Sequence, residues 1–139
     1  KPLPDFVFKD ILGNTYTPED IKGKVVVINL WFTSCAPCIK EIPELNELVK
    51  EYENNDAVLF LALALDEKGP RLDTFLETHV FNYNIVPGAQ DYVVKKLQAS
   101  SFPTHIVLDK NSNVVFTLAG YTPQVGEIIK SSISSFLEK

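Results

Sequence analysis

Residues 25–30, Val-Val-Val-Ile-Asn-Leu, are β-branched and apolar almost throughout, which suits a strand covered on both faces and therefore central in a sheet. Such a strand needs a partner layer on each side, and the next segment supplies one. Over 37–52 the apolar residues Ile39, Ile42, Leu45, Leu48, Val49 and Tyr52 recur at spacings of three and four, with Lys40, Glu41, Glu44, Glu47, Lys50 and Glu51 between them. That periodicity predicts an amphipathic helix. Pro43 lies inside it, where a missing N–H and a ring clash cost about 3 kcal/mol in a straight helix, so a kink is expected. Residues 57–65 favour helix by their Leu and Ala, but the run is short and bounded by turn residues, so it reads as a second buried strand.

The remaining segments extend the same alternation. Residues 70–80 carry Leu72, Phe75, Leu76 and Val80 at helical spacing behind a proline suited to a first turn, and 89–97 form a weaker helical candidate. Residues 104–108 and 114–118 flank the turn 109–113 as an antiparallel hairpin. Val125, Ile128, Ile129, Ile133, Phe136 and Leu137 mark a C-terminal helix. Before the central strand, residues 1–24 read as a β-hairpin extension, with the apolar segments 6–8 and 11–12 ahead of a turn at Gly13-Asn14 and Thr15-Tyr16-Thr17 after it. The expectation is an α/β fold: one mixed central sheet with helices on both faces and an N-terminal hairpin.

No repeat, linker or composition break divides the chain, and 139 residues suit a single domain spanning 1–139 that buries roughly two-thirds of its unfolded surface. Thirteen Lys plus Arg against eighteen Asp plus Glu give a net charge of −5, which opposes binding to a polyphosphate, so no nucleic-acid partner is expected. The longest apolar run, 57–65, has nine residues, about half of the ~20 that span a bilayer. The chain starts at Lys1 and contains no Met, so a signal peptide or anchor would precede what is seen.

The chemistry concentrates in Trp31-Phe32-Thr33-Ser34-Cys35-Ala36-Pro37-Cys38, between the buried strand and the helix, and it holds both cysteines. Unpaired N–H groups and the positive dipole end stabilise a thiolate at a helix N-terminus, which makes Cys35 the nucleophile. The spacing returns Cys38 over Cys35 within one turn, close enough for a readily exchanged disulfide. Three other readings compete with this one. A structural disulfide gains most by closing a long loop, and this loop is very short. Zinc asks for about four ligands, whereas two Cys and the distant His79 and His105 show no ligand spacing. Copper(I) could be carried by two thiolates with a third ligand such as His105, and this remains the alternative, beside a partner-binding module without turnover.

With these residues in place, the chain resembles the TlpA/ResA-like group of thioredoxin-fold, extracytoplasmic thiol–disulfide oxidoreductases. The resemblance runs through Pro4-Asp5-Phe6, residues 20–25, residues 31–38 with Pro43, Phe102-Pro103-Thr104, and Gly120. Peroxiredoxins are similar in layout but carry a single peroxidatic cysteine in a Pro-x-x-x-Thr-x-x-Cys pattern that is not met here. The resemblance implies a cis Pro103 facing the cysteines, with the Phe102 backbone offered to an extended substrate, and Trp31 packed beside the loop. Trp31, Ala36, Pro37, Phe102 and Pro103 would form the docking surface, with Phe32 adding to its apolar patch. Asn29 stands where thioredoxin itself has a buried Asp, and the resemblance places the substitute carboxylate at the end of the next strand, on Glu67, with Asp66 one residue earlier as the fallback. Glu67 is thus the expected base toward Cys38. His105 reads as a core or surface histidine, and His79 has no role.

The implied activity is thiol–disulfide exchange with protein thiols or disulfides. Cys35 attacks and Cys38 resolves the mixed disulfide, with no cofactor beyond the dithiol and no metal. The resemblance further implies a monomer that is periplasmic or otherwise extracytoplasmic, acting as a reductant fed by a membrane electron donor and serving partners such as apocytochrome c. Any membrane anchor would lie in a segment outside this chain.

Overall fold

The computed structural model describes residues 1–138. The N-terminal segment carries an antiparallel pair, β1 (Phe8–Lys9) and β2 (Thr15–Tyr16), followed by one helical turn, α1 (Pro18–Ile21). β3 (Val25–Trp31), α2 (Ala36–Glu51), β4 (Val58–Ala64), α3 (Pro70–Thr78) and β5 (Asn84–Val86) form a β-α-β-α-β run. A π-helical turn (Tyr92–Lys96) leads to the hairpin β6 (Thr104–Leu108) and β7 (Val114–Ala119), and α4 (Val125–Leu137) closes the chain.

The sheet order is β5-β4-β3-β6-β7. β3 pairs in parallel with β4, from Val25↔Val58 to Trp31↔Ala64, and antiparallel with β6, from Val26↔Leu108 to Leu30↔Thr104. Every residue of β3 is buried, as its β-branched run requires of a strand paired on both edges and covered on both faces. The two-residue strand period divides the apolar side chains between two cores. Val25, Val27 and Trp31 face Leu45 and Leu48 of α2, Leu72 and Phe75 of α3, and Ile129 and Ile133 of α4. Val26, Ile28 and Leu30 face Phe6, Phe8, Ile21 and Val93, so the N-terminal segment, α1 and the π-helical turn cover the second face. Burial of each Leu or Ile side chain contributes roughly 1.5–3 kcal/mol relative to exposure.

α2 runs through Pro43, an exposed position, as a single helix. Two elements differ from the sequence expectation. The segment expected as a helix over 89–97 forms a π-helical turn instead, closed by Leu97 N–H donating to Tyr92 O at 2.9 Å. Its Val93-Val94 pair is a poor helix former, and the turn is fixed by tertiary contacts: Val93 is buried and the Tyr92 hydroxyl donates to Pro4 O at 2.6 Å. The second is the N-terminal hairpin: it forms, with Thr15–Tyr16 as its second arm, but its first strand ends at Lys9, and Ile11 and Leu12 lie in the loop. Oδ1 of Asp10 accepts the N–H groups of Leu12 and Asn14, both at 2.9 Å, and Oδ2 accepts the Asn14 amide and the Tyr16 hydroxyl at 3.1 and 2.7 Å. One buried carboxylate therefore organises the loop and leaves Leu12 exposed.

Candidate active site

β3 delivers the chain to one end of the sheet at Trp31, and α2 begins five residues later. Cys35 is the residue at the N-terminal boundary of α2, in extended conformation, and its Sγ accepts the Cys38 N–H at 3.3 Å. Pro37 falls in the first helical turn, where its missing N–H leaves no bond unmade. Cys35 and Cys38 form a disulfide with their Cα atoms 5.2 Å apart. Cys35 is the more accessible, at 4% exposure against 1% for Cys38. After reduction, the same N–H and the dipole of a 16-residue helix favour a thiolate on Cys35.

The loop before Cys35 is tied down from β4 and α3. Thr33 donates its N–H and its hydroxyl to the two oxygens of Asp66, both at 2.7 Å. Arg71 donates Nε to the Thr33 hydroxyl at 3.3 Å and Nη2 to the Ser34 hydroxyl, and its Nε lies 3.9 Å from Asp66. On the other side of β3, the pairing of Leu30 with Thr104 brings Pro103 alongside the strand end from which the cysteine loop leaves. The Phe102–Pro103 peptide is cis, and Pro103 O accepts the Gly120 N–H at 2.7 Å. Phe102 packs edge-on against Phe32, their ring centroids 5.6 Å apart.

Of the residues assigned to docking, Ala36 and Pro37 are exposed and Phe102 is half-buried. Trp31 is not a surface residue. It continues the inward row Val25, Val27 and is fully buried, packing under the loop against Phe75 and Phe81. The Pro103 ring is buried as well.

The expected base is also corrected. Beyond β4 the Asp66 carbonyl accepts the Gly88 N–H at 2.8 Å, which extends the β4–β5 pairing and carries Glu67 to that side of the sheet. Glu67 is exposed and lies against Gly88, so closely that a Cβ there would come within 3.3 Å of its Oε2. That is the β5 side of β4, whereas the cysteine loop leaves from β3. Asp66, the fallback, is occupied with Thr33.

The carboxylate buried on the cysteine side is Glu41. It lies three residues after Cys38 on the inner face of α2, with both residues about 1% exposed. Its Oε1 lies 2.7 Å from Nε2 of His105, and both side chains are wholly buried. With the Glu41 oxygen as acceptor, the donor of this bond is Nε2–H. His105 stands opposite Asn29 in the β3–β6 register. Asn29 Oδ1, Trp31 Nε1, Glu41 Oε2, Tyr83 OH and His105 Nδ1 are buried without a hydrogen-bond partner among the described residues. Burial, with the Glu41 charge adding to it, holds the Tyr83 hydroxyl far above the usual phenol range, so it stays neutral. The sequence held a signal for Glu41, an acid beside the stripe of Ile42 and Leu45, but period alone counts it with the polar face. The role of Arg71 had no such signal, because its partners lie 37 and 38 residues away. Among the described residues no group of three or more His, Cys, Asp or Glu is placed to hold a metal ion.

Comparison with known proteins agrees with this geometry. Residues 1–117 match the AhpC/TSA family. Thiol-disulfide oxidoreductase ResA of Bacillus cereus is 30% identical over 139 residues, covering all of this chain and 76% of that protein. The ResA of Geobacillus kaustophilus is 34% identical over 117 residues, 84% of this chain and 67% of the relative. Among solved structures, a putative thiol:disulfide interchange protein DsbE from Chlorobium tepidum superposes with a TM-score of 0.86 at 23% identity, over 99% of this chain and 96% of that one. That likeness shows the fold. With the family match over most of its length and a Cys35–Cys38 pair at the head of α2, the chain belongs to the AhpC/TSA family and is a thioredoxin-fold thiol–disulfide oxidoreductase.

Proposed function

We propose that the protein acts outside the cytoplasm as a reductant of disulfides in protein partners. The observation that carries this reading is the Cys35–Cys38 disulfide, with its more accessible sulfur at the head of α2 and Ala36, Pro37 and Phe102 offering surface beside it. In the reduced protein, the Cys35 thiolate attacks one sulfur of the partner disulfide. A Cys35–partner S–S bond forms, the partner bond breaks, and its electron pair leaves with the second partner sulfur. Cys38 then loses its proton and attacks Cys35 Sγ, which closes the Cys35–Cys38 bond and releases the first partner sulfur as a thiolate. The partner gains two electrons and the protein loses them.

This cycle runs on the dithiol alone, by a monomer, with a membrane-bound donor returning it to the reduced state. The extracytoplasmic location rests on the family resemblance, as does apocytochrome c as a partner. No helix among the described residues is long and apolar enough to cross a membrane. Equilibration with defined dithiothreitol or glutathione ratios and counting of free thiols tests the direction. A potential of about −250 mV or lower is expected, and one of about −150 mV or higher would make the protein an oxidant or isomerase. In a Cys38→Ser variant the mixed disulfide should persist, and failure to trap one from a disulfide-containing partner would remove the exchange reading.

A further inference from the structure

The exchange cycle requires a destination for the Cys38 proton, and the strand position that holds an acid in thioredoxin holds Asn29 here. The only buried ionisable pair among the described residues lies at the same place: Glu41, on the helix face of Cys38, and His105, cross-strand from Asn29. A carboxylate with no exposure is costly unless hydrogen-bonded, and His105 supplies the one hydrogen bond that the Glu41 side chain makes among the described residues. The bond occupies Oε1 and leaves Oε2 unpartnered.

We propose that His105 is a positioning residue for the exchange reaction: by donating Nε2–H to Glu41 Oε1, it holds the carboxyl group in place and leaves Oε2 as the oxygen that takes the Cys38 proton during resolution of the mixed disulfide. The inference rests on the exchange reading. In the step, the Cys38 S–H bond breaks and its proton goes to Glu41. The sulfur lone pair forms the Cys38–Cys35 bond, and the Cys35–partner bond breaks with its electron pair on the partner sulfur. No further oxidant or reductant enters.

The surroundings leave this role to the pair. α2 presents Cys38 and Glu41 to this core, while Glu44, one turn on, is engaged with the Gly126 N–H at 2.7 Å. From β3 come Asn29 and Trp31, both uncharged. Tyr83, ahead of β5, stays neutral. β7 places Leu118 opposite His105, α4 packs Val125, Ile129 and Ile133 into this core, and the charged residues of α4, Glu127 and Lys130, are exposed.

Removing the donor leaves the buried Glu41 side chain without its one hydrogen-bond partner, so Oε2 should no longer be held ready to accept the Cys38 proton. The test mixes reduced protein with oxidised glutathione. It follows formation and decay of the Cys35–glutathione mixed disulfide by acid quench and mass, with Trp31 fluorescence as a continuous signal. His105→Val should slow decay about tenfold near neutral pH and alter its pH profile, with mixed-disulfide formation unchanged. His105→Gln, which keeps an N–H donor, should restore the wild-type rate and profile. If His105→Val does not fold, Glu41→Gln provides the reading: it keeps an acceptor for His105 but no site for the proton, and should slow decay alone. Decay in these variants that matches wild type across pH would overturn the proposal, as would equal slowing in His105→Val and His105→Gln without any shift in profile. If wild-type protein neither forms a mixed disulfide nor reduces the glutathione disulfide, the exchange reading itself fails, an outcome distinct from both.

Discussion

Asp10 shows how much one side chain decides locally. Burial pushes its carboxyl up, but hydrogen bonds from Tyr16, Asn14 and the backbone of Asn14 and Leu12 outweigh that and hold it below the usual carboxylate range. A depressed folded-state value means that its stabilisation is complete above the unfolded value near ~3.9 and is lost as pH falls through the folded one. Asp10→Asn is therefore expected to flatten the acid side of a stability-versus-pH curve measured by urea unfolding. Asp10→Ala, which removes the acceptor of four bonds, should cost about 2 kcal/mol. Of the two glutamates, Glu67 reads from the sequence as the base because it follows a strand that ends near the site. Strand order, which places Glu67 on the β5 side, is not written in local pattern. Glu67→Gln should leave the rate of mixed-disulfide resolution unchanged.

At the scale of elements, β3, the cysteine loop and α2 were legible because they obey strong local rules: a β-branched run buried on both faces, a helical period, and cysteines at a helix start. The extent of the hairpin loop and the π-helical form of Tyr92–Lys96 were not, because they are set by one carboxylate or by partners distant in sequence instead of by period. The hold on the cysteine loop is of that kind. Asp66→Ala removes both bonds to Thr33, and the expected result is a loss of about 2 kcal/mol with faster hydrogen exchange at the Thr33 amide, read by NMR. In α2, Leu45 is wholly buried between sheet and helix, and Leu45→Ala should cost about 3 kcal/mol in chemical denaturation with the reduction potential little changed.

For the molecule as a whole, redox state and stability are linked. A reductant is a fold that favours its own disulfide, so the oxidised protein should unfold at a higher temperature than the reduced one. Each ~30 mV by which its potential lies below that of the unfolded dithiol corresponds to about 1.4 kcal/mol of that difference. Calorimetry on the two forms checks this, and a reduced form that melts higher would point to an oxidant. The mixed sheet is readable in advance because strands alternate with helices before a closing hairpin. The coverage of its second face by residues 1–24 is not, since nothing in an isolated hairpin says which surface it will meet.

That coverage also fixes a direction. Lys1 O accepts the Val114 N–H at 2.8 Å and Pro2 pairs with Asn113, so the first residues are fastened to the β6–β7 turn. β6 runs from Thr104, beside Pro103, to Leu108 at that turn, which puts Lys1 and Cys35 at opposite poles of the sheet. A partner that docks on the reactive sulfur therefore arrives at the pole these first residues leave uncovered, and its approach does not disturb the clasp they make with the far hairpin turn.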